Sequence, residues 1–190
     1  MPDQVEDREL MRCAATGDRA AFARLIERYG GRVFHLARSL VRDDATAEDV
    51  LQDTFLAAWR TAASYRGDGA VASWLYAIAR HAALRRGRRA DQLATDDRSL
   101  EALGAAAGWG QPDVLTVVTR SEDRARLEAA MATLPDDDRV ALWLHHVLDQ
   151  TFDDTARVLG CSVAAVKSRL HRARLALAAS LRRGGADVPR

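Results

Sequence analysis

Residues 151–174 read TFDDTARVLGCSVAAVKSRLHRAR, and their spacing is that of a helix-turn-helix. Ala156 sits where two helices must approach closely, and Gly160, four residues on, makes the turn. A larger side chain at 156 would push the helices apart, and any side chain at 160 would resist the positive backbone angle expected of the turn. Val166 packs the second helix down onto the first. Thr151 with Asp154 three residues later forms an imperfect capping box, and Ser162 can cap the second helix, so both helix starts are marked. Such a second helix enters a major groove. Ala164, Ala165, Lys167 and Ser168 would then face base edges, with Arg172 and Arg174 placed for phosphate. Taken alone, the segment also fits an ordinary helical hairpin with a solvated basic face.

Working outward, nearly every readable period is helical. Upstream, a helix from near Ser121 to Leu134 is stopped by Pro135, and Asp136 to Asp138 favour the start of the next one. That next helix carries Val140, Leu144, Val147 and Leu148 on one side. In the N-terminal half, Phe22, Leu25, Ile26, Tyr29, Val33, Leu36, Ala37 and Leu40 recur at three- and four-residue steps, the stripe of a long helix. A break at Asp43-Asp44 leads to a second amphipathic helix. Its one face holds Ala47, Leu51, Phe55 and Ala58, and its other holds Asp49, Gln52, Asp53, Leu56 and Arg60. Arg66-Gly67-Asp68-Gly69 reads as a turn. Beyond it Leu75, Ile78, Ala79 and Ala82 form a buried stripe, with Tyr76, Arg80, His81, Leu84 and Arg88 outward. Between the halves, Gly104, Gly108, Gly110 and Pro112 stand among alanines and acids without an apolar stripe. The expectation is an all-α protein with one small helical domain over residues 7–90 and a second over 121–184. A flexible linker over 91–120 would join them.

Composition narrows the function. A chain of 190 residues with 48% apolar content can build a core in each of two small domains. Lys and Arg number 28 against 27 Asp and Glu, so the formal charge of +1 conceals the partners and the distribution has to reveal them. From Ser73 to Ala90 the charges are all basic (Arg80, Arg85, Arg86, Arg88, Arg89), as they are from Val163 to Gly185, which suggests two contacts with a polyanion. Asp43, Asp44, Glu48, Asp49 and Asp53 form a stretch free of bases. Cys13 and Cys161 stand far apart, as small packing residues without a disulfide or zinc pattern, and His145 and His146 have no ligand-spaced Cys or acid, so no metal is expected. No 18-residue apolar run and no signal-peptide pattern occurs, so a soluble cytoplasmic protein without membrane insertion is expected. Neither a phosphate-binding glycine loop nor a Ser/His/Asp motif is present, so no cofactor and no enzyme activity are expected.

Two surfaces stand out. Asp49, Gln52, Asp53 and Leu56 suit a basic protein partner that also offers an apolar contact, though a solvated acidic helix face has the same composition. Trp74, Tyr76, Arg80, His81, Arg85 and Arg88 combine aromatic and basic side chains along one segment, though Trp74 suits a core position as well.

The residues also resemble a known family, the extracytoplasmic-function group of sigma-70-type sigma factors. Leu134-Pro135, Arg139, Leu159-Gly160-Cys161-Ser162-Val163 and the run from Val166 to Arg174 are similar to the family's domain 4 signature. The run from Ala47 to Trp59 resembles the domain 2 helix that docks on polymerase. Arg66-Gly67-Asp68, Ser73 to Tyr76 and Ile78-Ala79-Arg80 resemble the promoter-melting segment that follows it. The resemblance implies that Asp49, Gln52, Asp53 and Leu56 bind the clamp helices of the largest subunit of core RNA polymerase. It implies that Arg66, Trp74, Tyr76, Arg80, His81, Arg85 and Arg88 contact the minus-10 element of promoter DNA. Ala164, Ala165, Lys167, Ser168, His171, Arg172 and Arg174 would contact the minus-35 element, the second domain would touch the flap of the second-largest subunit, and an anti-sigma factor would act as regulator. The chain departs from the pattern at His81, where Asn is frequent, at Thr155, where Ile is usual, and at Ala164-Ala165, where Gly-Thr is common. A helix-turn-helix repressor or activator that binds duplex DNA without polymerase is the competing reading.

Overall fold

The computed structural model describes residues 2–41, 43–67, 69–94 and 121–185. They form helices joined by short turns, with no strand among the described residues, and belong to two compact units, one within Met1–Trp109 and the other within Gly110–Arg190. The expected linker falls mostly on 95–120, outside the described residues. Among the described residues no helix is long and apolar enough to cross a membrane.

The first unit contains α1 (Pro2–Ala15), α2 (Arg19–Leu40), α3 (Asp44–Thr61), a short 3-10 turn at Ala62–Ser64, and α4 (Val71–Ala94). Asp18 starts α2 by accepting the Ala20 and Ala21 N–H groups at 2.9 and 3.1 Å. Asp43 starts α3 by accepting from the N–H of Thr46 at 2.7 Å and from its hydroxyl at 2.8 Å. The α2 stripe is buried as expected at Phe22, Leu25, Tyr29, Val33, Leu36 and Ala37, whereas Ile26 is 40% exposed. Phe22 meets Phe55 and Trp59 edge-on at ring-centroid distances of 6.2 and 5.0 Å, which fixes α2 on α3.

Helix α1 was not visible in the sequence, whose N-terminus reads as polar. It buries Leu10, Met11 and Ala14, and also Asp7, which is only 2% exposed. The Asp7 carboxylate accepts from Arg28 and from the Tyr29 hydroxyl, so α1 is tied to α2 by a buried acid as well as by apolar contact. Burial, with the Asp7 carboxylate adding, holds the Tyr29 phenol protonated well above its ordinary range.

The second unit contains α5 (Ser121–Ala132), α6 (Asp136–Leu142), a wide π-type turn at Trp143–Val147, α7 (Phe152–Leu159) and α8 (Val163–Gly185). Its core gathers Leu134, Val140, Leu144, Leu148, Ala156, Val158, Val166, Leu170 and Ala173. Arg139 closes the junction of α5 and α6 by donating to the Leu134 carbonyl at 3.2 Å. After the wide turn the chain reverses at Asp149, which holds a left-handed φ of 50°.

The helix-turn-helix forms by the local signals already read. The Thr151 hydroxyl accepts the Asp154 N–H at 3.0 Å and donates to its carboxylate at 2.7 Å. Ser162 accepts the Ala165 N–H at 3.2 Å. Gly160 has φ of 64°, and a Cβ built there meets nothing within 4 Å. Glycine is therefore required there for its backbone angle, not for space.

Candidate polymerase and nucleic-acid interfaces

Helix α3 buries Ala47, Val50, Thr54, Phe55 and Ala58 and leaves Asp49, Gln52, Asp53 and Leu56 along the opposite side. Leu56 is 53% exposed, a large apolar side chain beside acids. Arg86, from α4, joins the two acids. Its Nη1 donates to Asp49 Oδ2 at 2.7 Å, while Nε and Nη2 donate to Asp53 Oδ2 at 2.9 and 2.8 Å. Arg86 hydrogen-bonds to each carboxylate through its Oδ2, and the face carries two partly neutralised acids. In the sequence Arg86 stands only among the basic residues of α4. Its pairing joins positions 33 and 37 residues apart, which no local pattern announces.

Helix α4 corrects one expectation. Tyr76, read as outward and as a minus-10 contact, is fully buried. The reason is that α1, α2 and α3 all pack against α4, so Val71, Ala72, Ser73, Leu75, Tyr76, Ala79, Ala82 and Ala83 are all buried, more than a single stripe. Burial pushes the Tyr76 phenol up to about 12, against the opposing pull of the Arg32 cation. Ile78, expected in the buried stripe, is only half-buried. Trp74 is half-buried against Tyr65, with centroids 5.6 Å apart, and Arg80 is half-buried, whereas Arg66, His81 and Arg85 are exposed. Arg66 precedes Gly67, whose φ of 77° makes the turn into α4. Arg88 lies on α4, with its side chain outside the described residues.

On α8, Ala164, Lys167, Ser168, His171, Arg172 and Arg174 are exposed and Ala165 is half-buried, while Val166, Leu170 and Ala173 face the core. The exposed residues recur at helical steps and share one broad side. Several are already engaged. Lys167 Nζ stands 5.4 Å from the Phe152 ring centroid, and Ser168 donates to the Ala164 carbonyl at 3.1 Å. Arg174 donates to His146 Nε2 at 2.9 Å, so that ring is neutral. Desolvation, then the Arg174 cation and His145, holds His146 below its ordinary value. Arg172 pairs with Asp138 of α6. Thr155 is fully buried, and among the described residues its hydroxyl has no hydrogen-bond partner, a weak point in the core under α8.

Residues 25–92 match Sigma-70 region 2 and residues 124–177 match Sigma-70 region 4. Over 184 residues the chain is 34% identical to the RNA polymerase sigma-H factor of Pseudomonas aeruginosa, spanning 93% of this chain and 94% of that protein. Over 175 residues it is 38% identical to the ECF RNA polymerase sigma factor SigM of Mycobacterium tuberculosis, spanning 90% of this chain and 83% of that protein. The chain belongs to the extracytoplasmic-function sigma factors of the sigma-70 family. Among solved structures the sigma factor is similar to CnrH in complex with the cytosolic domain of CnrY, with TM-score 0.70 and 29% identity over 96% of this chain and 99% of that one. It is similar also to the sigma factor RpoE of Bartonella quintana in complex with the anti-sigma factor NepR, with TM-score 0.66 and 25% identity over 85% and 96%. The region 2 match of this sigma factor takes in α3, most of α2 and nearly all of α4, and leaves out α1; the region 4 match runs from α5 into α8.

Proposed function

We propose that this sigma factor meets core RNA polymerase through Asp49, Gln52, Asp53 and Leu56 of α3, on the clamp helices of the largest subunit. Arg66, Trp74, Arg80, His81, Arg85 and Arg88 then engage the minus-10 element, and Ala164, Ala165, Lys167, Ser168, His171, Arg172 and Arg174 engage the minus-35 element. The observation that carries this reading is the division of labour by charge. An acidic face with an exposed leucine lies on α3, and a basic face of small and long side chains lies on α8, each inside the region that matches. The second unit also touches the flap of the second-largest subunit. The residues 91–120 link the two tasks between domains at 7–90 and 121–184, the protein works in the cytoplasm, and it performs no chemistry of its own.

Complexes of CnrH with CnrY and of RpoE with NepR support an anti-sigma partner for this chain too. His81 in place of the frequent Asn relaxes or alters base choice at minus-10, and the alanines at 164 and 165 can contact a thymine methyl but offer no side-chain hydrogen bond.

Run-off transcription with purified core polymerase and a library of promoter fragments tests the reading. Specific starts that need the protein are expected. Tight duplex binding by the protein alone, without specific transcription, would establish a stand-alone helix-turn-helix regulator instead.

A further inference from the structure

Arg172 of α8 is the basic residue of the exposed face whose guanidinium is gripped by a buried acid. Its Nε donates to Asp138 Oδ2 at 3.3 Å and its Nη2 to Asp138 Oδ1 at 3.0 Å. The Asp138 side chain is 7% exposed and that of Arg172 is 59% exposed. Arg169 approaches the same carboxylate, Nε to Oδ1 at 3.8 Å, and places its Nη2 on Asp137 at 2.9 Å. A carboxylate so enclosed cannot turn away into water, and two parallel N–H donors fix the guanidinium plane as well as its position. Among the described residues Nη1 of Arg172 makes no hydrogen bond, and the side chain keeps more than half of its surface in water.

We infer that Asp138, which lies on α6 outside the helix-turn-helix, is a positioning residue for minus-35 recognition, holding Arg172 in the orientation in which it meets promoter DNA. The inference rests on the reading of Arg172 as a DNA contact. Two consequences separate this role from simple packing. A free arginine loses its rotamer freedom when DNA binds, whereas Arg172 has lost much of it on folding, which favours the one register in which Nη1 meets its acceptor. The carboxylate also offsets the charge of Arg172, so Asp138 opposes indiscriminate attraction to phosphate while it favours the aligned complex. It trades general affinity for discrimination.

The experiment measures binding of the full chain to two duplexes of equal length. One carries the minus-35 element recovered from the run-off library and the other has random sequence, and both are titrated across a salt series. For Asp138→Asn the expected result is a roughly tenfold lower ratio of specific to random affinity, the size typical of coupling inside a charged network. Random-duplex affinity should hold or rise, and the salt slope should steepen by about one counterion. Exchange protection of α6 and α8 amides reads the folded fraction of the second unit and both affinities are corrected for it, so that an unchanged ratio, or a drop fully accounted for by unfolding of that unit, overturns the inference. Arg172→Ala tells apart the two ways of failing. If it leaves specific binding intact, the DNA role of Arg172 is wrong and the inference falls with it. If it weakens specific binding while Asp138→Asn preserves the ratio, only the inference falls. In the double variant the ratio should drop no further than with Arg172→Ala alone; additive losses would overturn the positioning role.

Discussion

Each unit of this sigma factor ties one helix to another by a triad of charges, and the two triads are built in opposite senses. In the first unit one base, Arg86 of α4, bridges the acids Asp49 and Asp53 of α3. In the second, one acid, Asp138 of α6, stands between the bases Arg169 and Arg172 of α8. The central groups also differ in burial, the Arg86 side chain being 34% exposed and that of Asp138 nearly enclosed. An exposed ion pair contributes little to stability, because water and salt screen it and long side chains lose freedom in forming it. Removing one member of a buried pair is costly, because the remainder keeps its desolvation penalty without its partner. The comparison therefore assigns the first triad to surface presentation, and the second to fold and presentation together.

If burial and not membership of one unit decides the cost, the largest loss belongs to the buried acid of the first unit. Asp7→Ala leaves the Tyr29 hydroxyl buried without its acceptor and Arg28 without its enclosed partner. It should destabilise the first unit by about 3 kcal/mol, read from hydrogen exchange of α1 and α2 amides in the full chain. Protection in α8 should stay unchanged. A loss below about 1 kcal/mol would break the link between burial and cost.

Asp138→Ala comes next, at about 2 kcal/mol for the second unit, since Arg172 and Arg169 can both turn partly to water once released. Exchange of α6 and α8 amides reads it. A cost equal to that of an exposed pair would place Asp138 with Arg86 and erase the contrast.

What was legible in the sequence follows the range of the interaction. Gly160, Thr151 and Ser162 act within four residues of themselves, and the helix-turn-helix was readable from them. The stripes of α2 and α3 were readable too, because each is marked by large apolar residues at helical steps, such as Phe22, Leu25 and Val33 on α2 and Phe55 on α3. Tyr76 was misplaced because the buried arc of α4 is made largely of alanines, Ala72, Ala79, Ala82 and Ala83, which mark a face only weakly, and a tyrosine suits an outward position by composition as well. Helix α1 was missed because few apolar residues, Leu10, Met11 and Ala14, mark its buried side, and the acid buried with them has partners 21 and 22 residues away. Arg86 and Asp138 fall in the same class. One read as part of a basic run, the other as part of a helix-starting acidic run, and their pairing exists only in three dimensions.

A local charge gives the scale for the two triads. Asp43 caps α3 just before the acidic face begins, and the Thr46 N–H and hydroxyl hold its carboxyl below the ordinary value of 3.8. A depressed folded-state value means that the stabilisation is complete above the unfolded-chain value and is lost as pH falls through the folded one. Asp43→Ala should cost about 1 kcal/mol at neutral pH, with the difference from the parent chain vanishing in acid, as read by denaturant melts across pH. A difference that persists unchanged well below pH 3.8 would mean that the side chain acts through packing and not as an ionised cap.

The smallest effect on stability, and the most informative for function, belongs to Arg86→Gln. Glutamine retains one donor group and much of the side-chain length but cannot bridge two carboxylates or offset their charge. The exposed pairs predict a stability loss of no more than about 1 kcal/mol. Two opposing effects then act on polymerase binding. Without Arg86 the face gains net negative charge, which speeds encounter with a basic partner, and its two carboxylates lose their common anchor, which raises the ordering cost once contact is made. Encounter by charge is screened by salt, and ordering is not. In low salt the variant should associate with core polymerase at least as fast as the parent chain, and near 0.15 M salt it should dissociate several-fold faster. A dissociation rate equal to that of the parent, measured on immobilised core polymerase, would show that Arg86 merely fastens α4 to α3. A uniform loss of both rates with reduced thermal stability would move the first triad into the same class as the second.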